Sequence, residues 1–186
     1  MKKYIYTVML LLASIMVSNA QRMLPKQIGL EANAGVLSND KIGNDYYITI
    51  GMTINGKNGN YQLWALEYAH AYYQYKGIRI PLETYTAEGG YSICLMGDAR
   101  KNFTLNLGIT GIAGHETINR GEALLYDGAK ILSEDNIIYG AGGRITFETY
   151  LSDHFVLVLA GRTRVFWGTD MKQFRPSAGV GIRFNF

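Results

Sequence analysis

The chain has 186 residues, with 18 Lys and Arg against 15 Asp and Glu, which gives a formal net charge of +3. The length suits one domain, and the lack of a long basic run argues against nucleic-acid binding as the main role. The single cysteine, Cys94, excludes an internal disulfide and a zinc site built from cysteines. The 22 glycines and 14 tyrosines, against 3 prolines, favour bent, aromatic-rich strands over helices.

The start of the chain has the features of an export signal. Lys2 and Lys3 precede an apolar stretch over 8–17, and a small-residue cleavage site ends at Ala20. The apolar stretch is too short to span a bilayer as a helix, and no later apolar run is long enough. A mature N-terminal helix is the alternative interpretation. We therefore expect a cleaved signal peptide over 1–20 and a single domain over 21–186.

The rest of the chain alternates apolar residues with small or polar ones at a period of two. Leu30, Ala32 and Ala34, for example, alternate with Glu31 and Asn33. Such alternation is typical of strands that have one apolar face. The pattern predicts eight strands, over 28–36, 46–54, 64–72, 85–95, 103–113, 139–151, 155–165 and 180–186.

Short and long connections alternate between these strands. The short ones are 56–60, 97–102 and 152–154, and the long ones are 37–45, 73–79, 115–136 and 167–173. In an antiparallel meander every second connection lies at the same end, so the short turns share one end with both termini. The prediction is an all-β, eight-stranded antiparallel up-and-down barrel, and outer-membrane barrels have this arrangement of turns and loops.

Alternation alone also fits a soluble, lipocalin-like barrel, whose polar face points outward to water. Two features favour a transmembrane barrel of the outer-membrane type, whose polar face points inward. No lysine falls in a strand core, and many residues of the polar face are small, which relieves crowding in a narrow lumen.

The charges of the polar face are a third such feature. Four glutamates and four arginines balance one another, and the lumen of an eight-stranded barrel has room only for side chains, so enclosed charges must pair. The predicted lumenal salt-bridge network consists of Glu31, Glu67, Glu88, Glu148, Arg144, Arg162, Arg164 and Arg183. A closed plug is the favoured role and a proton or ion path is the alternative; Arg162 and Glu148 are a candidate pair.

The C-terminal strand carries an alternating apolar pattern that ends on a terminal phenylalanine. This pattern resembles the signal that the barrel-assembly machinery recognises, although an ordinary final strand would also show it. Its residues are Val180, Ile182, Phe184 and Phe186. Together with the export signal it predicts a location in the outer membrane of a Gram-negative envelope, with lipid around the barrel.

Motifs of catalysis, cofactor binding and metal binding are absent from the sequence. His115 with Glu116 could form part of a hydrolase site near the rim, but no serine accompanies them convincingly. We therefore expect no enzymatic activity, no cofactor and no metal.

The longest connection, 114–136, is more apolar than a solvated loop requires, and loops of this length are usually functional or disordered. It is either a contact surface for a partner or an apolar cap over the barrel mouth. The candidate contact residues are Arg120, Leu124, Leu125, Tyr126, Ile131 and Leu132.

Several segments resemble the conjugative transposon TraO family of Bacteroides-type bacteria. They include NAQRMLPKQ from Asn19, NGKNGNYQLWALEY from Asn55, TINRGEALLYDGAKILSEDN from Thr117 and FRPSAGVGIRFNF from Phe174. The resemblance implies a non-enzymatic outer-membrane component of a conjugal DNA-transfer apparatus that acts beside other Tra proteins. It implies no catalytic residues and no direct contact with nucleic acid. The alternative is a general small outer-membrane barrel, serving as an anchor, a narrow solute pore or a hydrolase with its site at the rim.

Overall fold

The computed structural model describes residues 23–38, 45–75, 78–98, 102–121 and 135–186. These residues form eight strands and one short 3-10 turn, Asn119–Gly121. The strands are β1 Ile28–Leu37, β2 Tyr46–Asn55, β3 Tyr61–Tyr75, β4 Ile78–Gly97, β5 Phe103–Ile118, β6 Asp135–Tyr150, β7 Phe155–Trp167 and β8 Phe174–Asn185. The predicted signal peptide lies outside the described residues.

The strands close into a single barrel. Each strand pairs antiparallel with the next one, and β8 pairs with β1 through partners such as Leu30 with Phe184 and Ala34 with Val180. Closure leaves no free sheet edge, which is the condition for crossing a membrane with strands. The predicted eight-stranded up-and-down barrel is therefore confirmed.

The alternation along each strand separates an apolar exterior from a polar interior. Leu66 on β3 is 68% exposed and Ile109 on β5 is 73% exposed, whereas Glu67 and Asn106 are buried in the lumen. A band of exposed large apolar side chains around a closed barrel is the surface that lipid covers. Gly35 and Gly179 leave room inside for the ring of Tyr47, since a Cβ on Gly179 would lie 2.2 Å from its Oη.

The short connections lie at one end of the barrel, here called the turn end, and the opposite end is the loop end. At the loop end two predicted loops were too long. The connection between β3 and β4 is only 76–77, since both strands extend into the predicted loop 73–79. Likewise β5 runs to Ile118 and β6 begins at Asp135, so the predicted loop 115–136 loses residues to both strands.

The pattern did not predict these strand residues because the polarity of the two sheet faces is inverted near the loop end. There the interior is apolar, with a group of buried side chains that we call the mouth cluster: Ala71, Ile80, Leu82 and Ile118. Leu37, Tyr73 and Met171 pack against it, and Ile112, Ile138 and Phe166 form a second buried group. At Ile80 and Leu82 the apolar residues of β4 therefore occupy the inward positions, whereas further along β4 the apolar residues occupy the outward positions.

Candidate functional site in the barrel lumen

The four charged residues nearest the turn end form one connected group, the lower ion layer. It consists of Glu31, Glu148, Arg144 and Arg183. Arg183 lies on β8 with its side chain fully buried, and its Nη2 is 2.6 Å from Glu31 Oε2 and 2.9 Å from Glu148 Oε1. Arg144 reaches across the lumen from β6 and pairs with Glu31. The planar guanidinium of Arg183 thus bridges two carboxylates, which a lysine could not do with the same geometry.

Neutral side chains complete the hydrogen bonding of these carboxylates. Tyr61 donates its hydroxyl to Glu148 Oε1 at 2.8 Å, and Tyr150 donates to Glu148 Oε2 at 3.2 Å. Asn33 donates to Glu31 Oε1 at 2.6 Å. A buried ion pair is tolerated only when such additional bonds satisfy the remaining oxygens, so these partners are part of the layer.

The other four predicted residues form a second group closer to the loop end, the upper ion layer. It consists of Glu67, Glu88, Arg162 and Arg164. Arg162 Nη1 is 2.7 Å from Glu67 Oε2, and Arg164 pairs with Glu67 and lies 3.2 Å from Glu88 Oε2. Thr49 donates to Glu67 Oε2 at 2.8 Å. The guanidinium of Arg162 also lies 3.8 Å from the centre of the Tyr47 ring, a favourable cation–π contact.

Each layer therefore contains two carboxylates and two guanidinium groups and has no net charge. Arg144 and Arg162 are direct cross-strand neighbours, a pairing of like charges that would be destabilising on its own. Each of them turns to a glutamate of a different layer, Glu31 and Glu67 respectively. The structure thus places all eight predicted residues in the lumen, but it pairs Arg162 with Glu67 rather than with Glu148.

A further buried ion pair near the loop end was not predicted. Arg175 Nη2 is 2.6 Å from Glu116 Oε2, and Thr169 donates its hydroxyl to Glu116 Oε1 at 2.6 Å. The sequence signal for this pair was the continuation of the β5 alternation through 116. That alternation places Glu116 on the inward face, four residues after the inward Ile112.

The same alternation separates the two residues of the hypothetical hydrolase pair. His115 is exposed on the outer face of β5, where its Nδ1 lies 3.4 Å from Thr117 Oγ1, while Glu116 is buried inside. His70 is buried beside the rings of Tyr46 and Tyr72, 3.9 Å from Glu83, and His154 contacts the carbonyl of Asn185 at the turn end.

A cavity of about 40 Å³ lies between the upper ion layer and the loop end. Glu67 and Arg164 line one side of it, and Leu82, Phe166 and Arg175 line the others. This volume has room for a few water molecules at most. Among the residues that the structure describes, no three His, Cys, Asp or Glu side chains are grouped so that they could hold a metal ion.

The remaining predicted residues lie at the two ends of the barrel. Arg120 is exposed just after β5, in a turn where its φ is 56°. The rest of the candidate contact loop lies outside the described residues: Leu124, Leu125, Tyr126, Ile131 and Leu132. The residues of the predicted assembly signal all face outward and are exposed: Val180, Ile182, Phe184 and Phe186. Within the described part of the chain no helix has the length and apolar character to cross a membrane.

Solved structures of other proteins share this fold. Neisserial surface protein A has a TM-score of 0.53 and 14% identity, covering 86% of this chain and 96% of that chain. Ail, the attachment invasion locus protein of Yersinia pestis, solved with the heparin analogue sucrose octasulfate, has a TM-score of 0.53 and 8% identity. It covers 86% of this chain and 97% of that chain. Identities this low show the fold alone. No curated protein matches the sequence.

The closed eight-stranded barrel, with its apolar exterior and ion-paired interior, defines a transmembrane β-barrel of the outer-membrane type. The family described as conjugative transposon protein TraO matches residues 24–186. The chain therefore belongs to the TraO family, and the resemblance noted in the sequence is confirmed.

Proposed function

We propose that this TraO-family barrel is a non-enzymatic structural component of a conjugal transfer apparatus, located in the outer membrane. The observation that carries the proposal is the filled lumen, where two neutral ion layers occupy the described interior. A barrel filled in this way acts through its surfaces rather than through a passage. The family match supplies the link to conjugative transposons.

The eight lumenal charges act in this proposal as a closed plug. Every one of the eight side chains is nearly or fully buried and lies within ion-pair distance of an opposite charge. A buried charge without its partner costs several kcal/mol, so a path that required these pairs to separate would be strongly disfavoured. The plug is thus a structural element that holds the strands together from inside.

The partners in this proposal are lipid around the apolar band and the barrel-assembly machinery at the C-terminal strand. Other transfer proteins contact the loop end. The connection that contains Arg120 is the contact surface, and direct contact with nucleic acid is not part of the role. A signal peptide over 1–20 directs export of the chain and is then cleaved.

Deletion of the gene from a donor strain tests the role in transfer. The transfer frequency should fall, and a plasmid copy should restore it. Normal transfer from donors that lack the protein would contradict the proposal. An enzyme or solute pore unrelated to conjugation would give that result.

Crosslinking in intact envelopes tests the contact surface. A photo-crosslinking amino acid at Arg120, which is exposed at the loop end, should capture another transfer protein. The matched control is the same amino acid at Lys57, which is exposed at the turn end. Capture from position 57 but not from 120 would place the contact at the wrong end of the barrel.

A further inference from the structure

The segment before β1 turns back under the turn end of the barrel. The amide of Gln27 donates to the carbonyl of Leu24 at 3.1 Å, which closes a four-residue turn. Pro25 stands second in this turn and Lys26 third, with a φ of 69° at Lys26. A proline followed by a positive φ is the pattern of a type II turn. The chain direction therefore reverses immediately before the first strand.

Backbone hydrogen bonds fix this turn to the sheet. The amide of Lys26 donates to the carbonyl of Asn55 at 2.7 Å, and the amide of Asn55 donates to the carbonyl of Gln27 at 2.9 Å. The side-chain amide of Asn55 also donates to Gln27 Oε1 at 3.2 Å. These bonds continue the pairing of β1 with β2 beyond the end of β1, so the segment has a defined position relative to the lumen.

The turn directs Met23 into the lumen. Met23 is 6% exposed and packs with Tyr150, Val156 and Val158, whereas the next residue, Leu24, is 46% exposed. The φ of Met23 is 63°, a left-handed conformation that is unfavourable for a residue with a Cβ. The burial of the methionine side chain offsets this cost.

The buried methionine lies next to the lower ion layer. Tyr150, which belongs to the same buried cluster as Met23, donates its hydroxyl to Glu148, and Val158 is the cross-strand neighbour of Glu148. Met23 and its three apolar partners therefore separate this carboxylate from water at the turn end. Ion pairs are stronger where water is excluded, so the cover strengthens the layer beneath it.

We propose that residues 23–27 form a stopper, with Met23 as its seal, that closes the turn end of the lumen and keeps water from the lower ion layer. The closure is a local device of the N-terminal segment and is separate from the contacts at the loop end. It depends on one side chain and one turn. Loss of the seal would admit water to Glu148 while the barrel itself remained closed by its strands.

Thiol labelling of the folded protein tests the stopper. Val158→Cys in a Cys94→Ser background places a single thiol behind Met23, and the rate of its reaction with a small water-soluble thiol reagent is measured. Adding Met23→Gly should raise the rate several-fold, since glycine accepts the backbone conformation but provides no seal. Adding Leu24→Gly is the matched control and should leave the rate unchanged. Equal rates in the parent and in Met23→Gly would overturn the proposal.

A second position is used in case the Val158→Cys protein does not assemble. Val156→Cys in the same Cys94→Ser background replaces another side chain of the buried cluster that contains Met23. Adding Met23→Gly should again raise the labelling rate several-fold, and adding Leu24→Gly should not. Equal rates in the parent and in Met23→Gly at this position would overturn the proposal.

Discussion

The two halves of the barrel bury opposite kinds of side chain in their interiors. In the half toward the turn end, the interior holds the charged ion layers while apolar residues such as Leu107 are exposed outside. In the half toward the loop end, Leu82 and Ile118 are buried inside, while Arg79 and His115 are exposed outside. One barrel thus changes from an inside-polar to an inside-apolar arrangement along its axis.

The surroundings of the barrel explain this difference. Lipid requires an apolar exterior, so polar residues must point inward and satisfy one another. Water requires the reverse, and there the interior can be an ordinary hydrophobic core. The inward face of β4 is apolar at Leu82 and charged at Glu88. This change in polarity marks the upper edge of the apolar band. The strands β3 to β6 are the longest and extend furthest above that edge.

Removal of one arginine from the lower ion layer should have the largest effect on stability. Arg183→Met leaves both Glu31 and Glu148 short of a partner in the buried interior, and breaking such a network costs about 3–5 kcal/mol. Urea unfolding in lipid vesicles measures the free energy of unfolding. The comparison variant is Arg175→Met near the loop end, where the arginine is 14% exposed and only one carboxylate, that of Glu116, loses its partner, so the loss should be clearly smaller. Equal losses would mean that the two regions do not differ in this respect.

The mouth cluster should behave as a hydrophobic core. Ile118→Ala removes a side chain that is 2% exposed, and truncation of a buried isoleucine costs about 2–5 kcal/mol. Ile109→Ala, on the outward face of the same strand, should change the free energy of unfolding much less. A small effect at Ile118 would show that the apolar interior of the mouth contributes little to stability.

Much of this architecture could be predicted from period-two alternation. Alternation identified all eight strands and placed the eight charged residues in the lumen, because residue parity alone decides which face a side chain occupies. It could not say which carboxylate meets which arginine. Arg162 is bound to Glu67 across the lumen, and that contact depends on barrel closure and strand stagger rather than on spacing in the sequence.

Other features were missed because one assumption was applied to the whole chain. Because the apolar face is expected to point outward everywhere, the sequence predicts a loop over 73–79 and no strand over 80–84, where the apolar Ile80 and Leu82 face inward. Glu116 was likewise considered as a rim residue beside His115, although parity places them on opposite faces. The alternation that would correct both predictions is present in the sequence. Whether its apolar face points inward or outward depends on whether lipid or water surrounds that part of the barrel.

A charge introduced on the lipid-facing surface should test where the apolar band lies along the barrel. Leu107→Arg places a guanidinium on the outer face of β5, where an arginine near the membrane midplane costs about 2–4 kcal/mol. Its assembly into the membrane should fail or be greatly reduced, as judged by the amount of folded barrel in isolated envelopes. His115→Arg, on the same face of the same strand but above the band, should assemble normally. Normal assembly of Leu107→Arg would mean that the two faces are assigned the wrong way round.

The smallest expected effect is the coupling within a single ion pair, which tests the assignment of partners inside the lumen. A double-mutant cycle of Arg162→Leu with Glu67→Gln should give a coupling energy of about 0.5–3 kcal/mol, since the two side chains are in direct contact. The same cycle with Glu148→Gln should give a value close to zero, because Glu148 is bound by Arg183 in the other layer. A larger coupling with Glu148 than with Glu67 would contradict the division into two layers. Because both cycles share the Arg162 variant, any general loss of stability from that change cancels in the comparison.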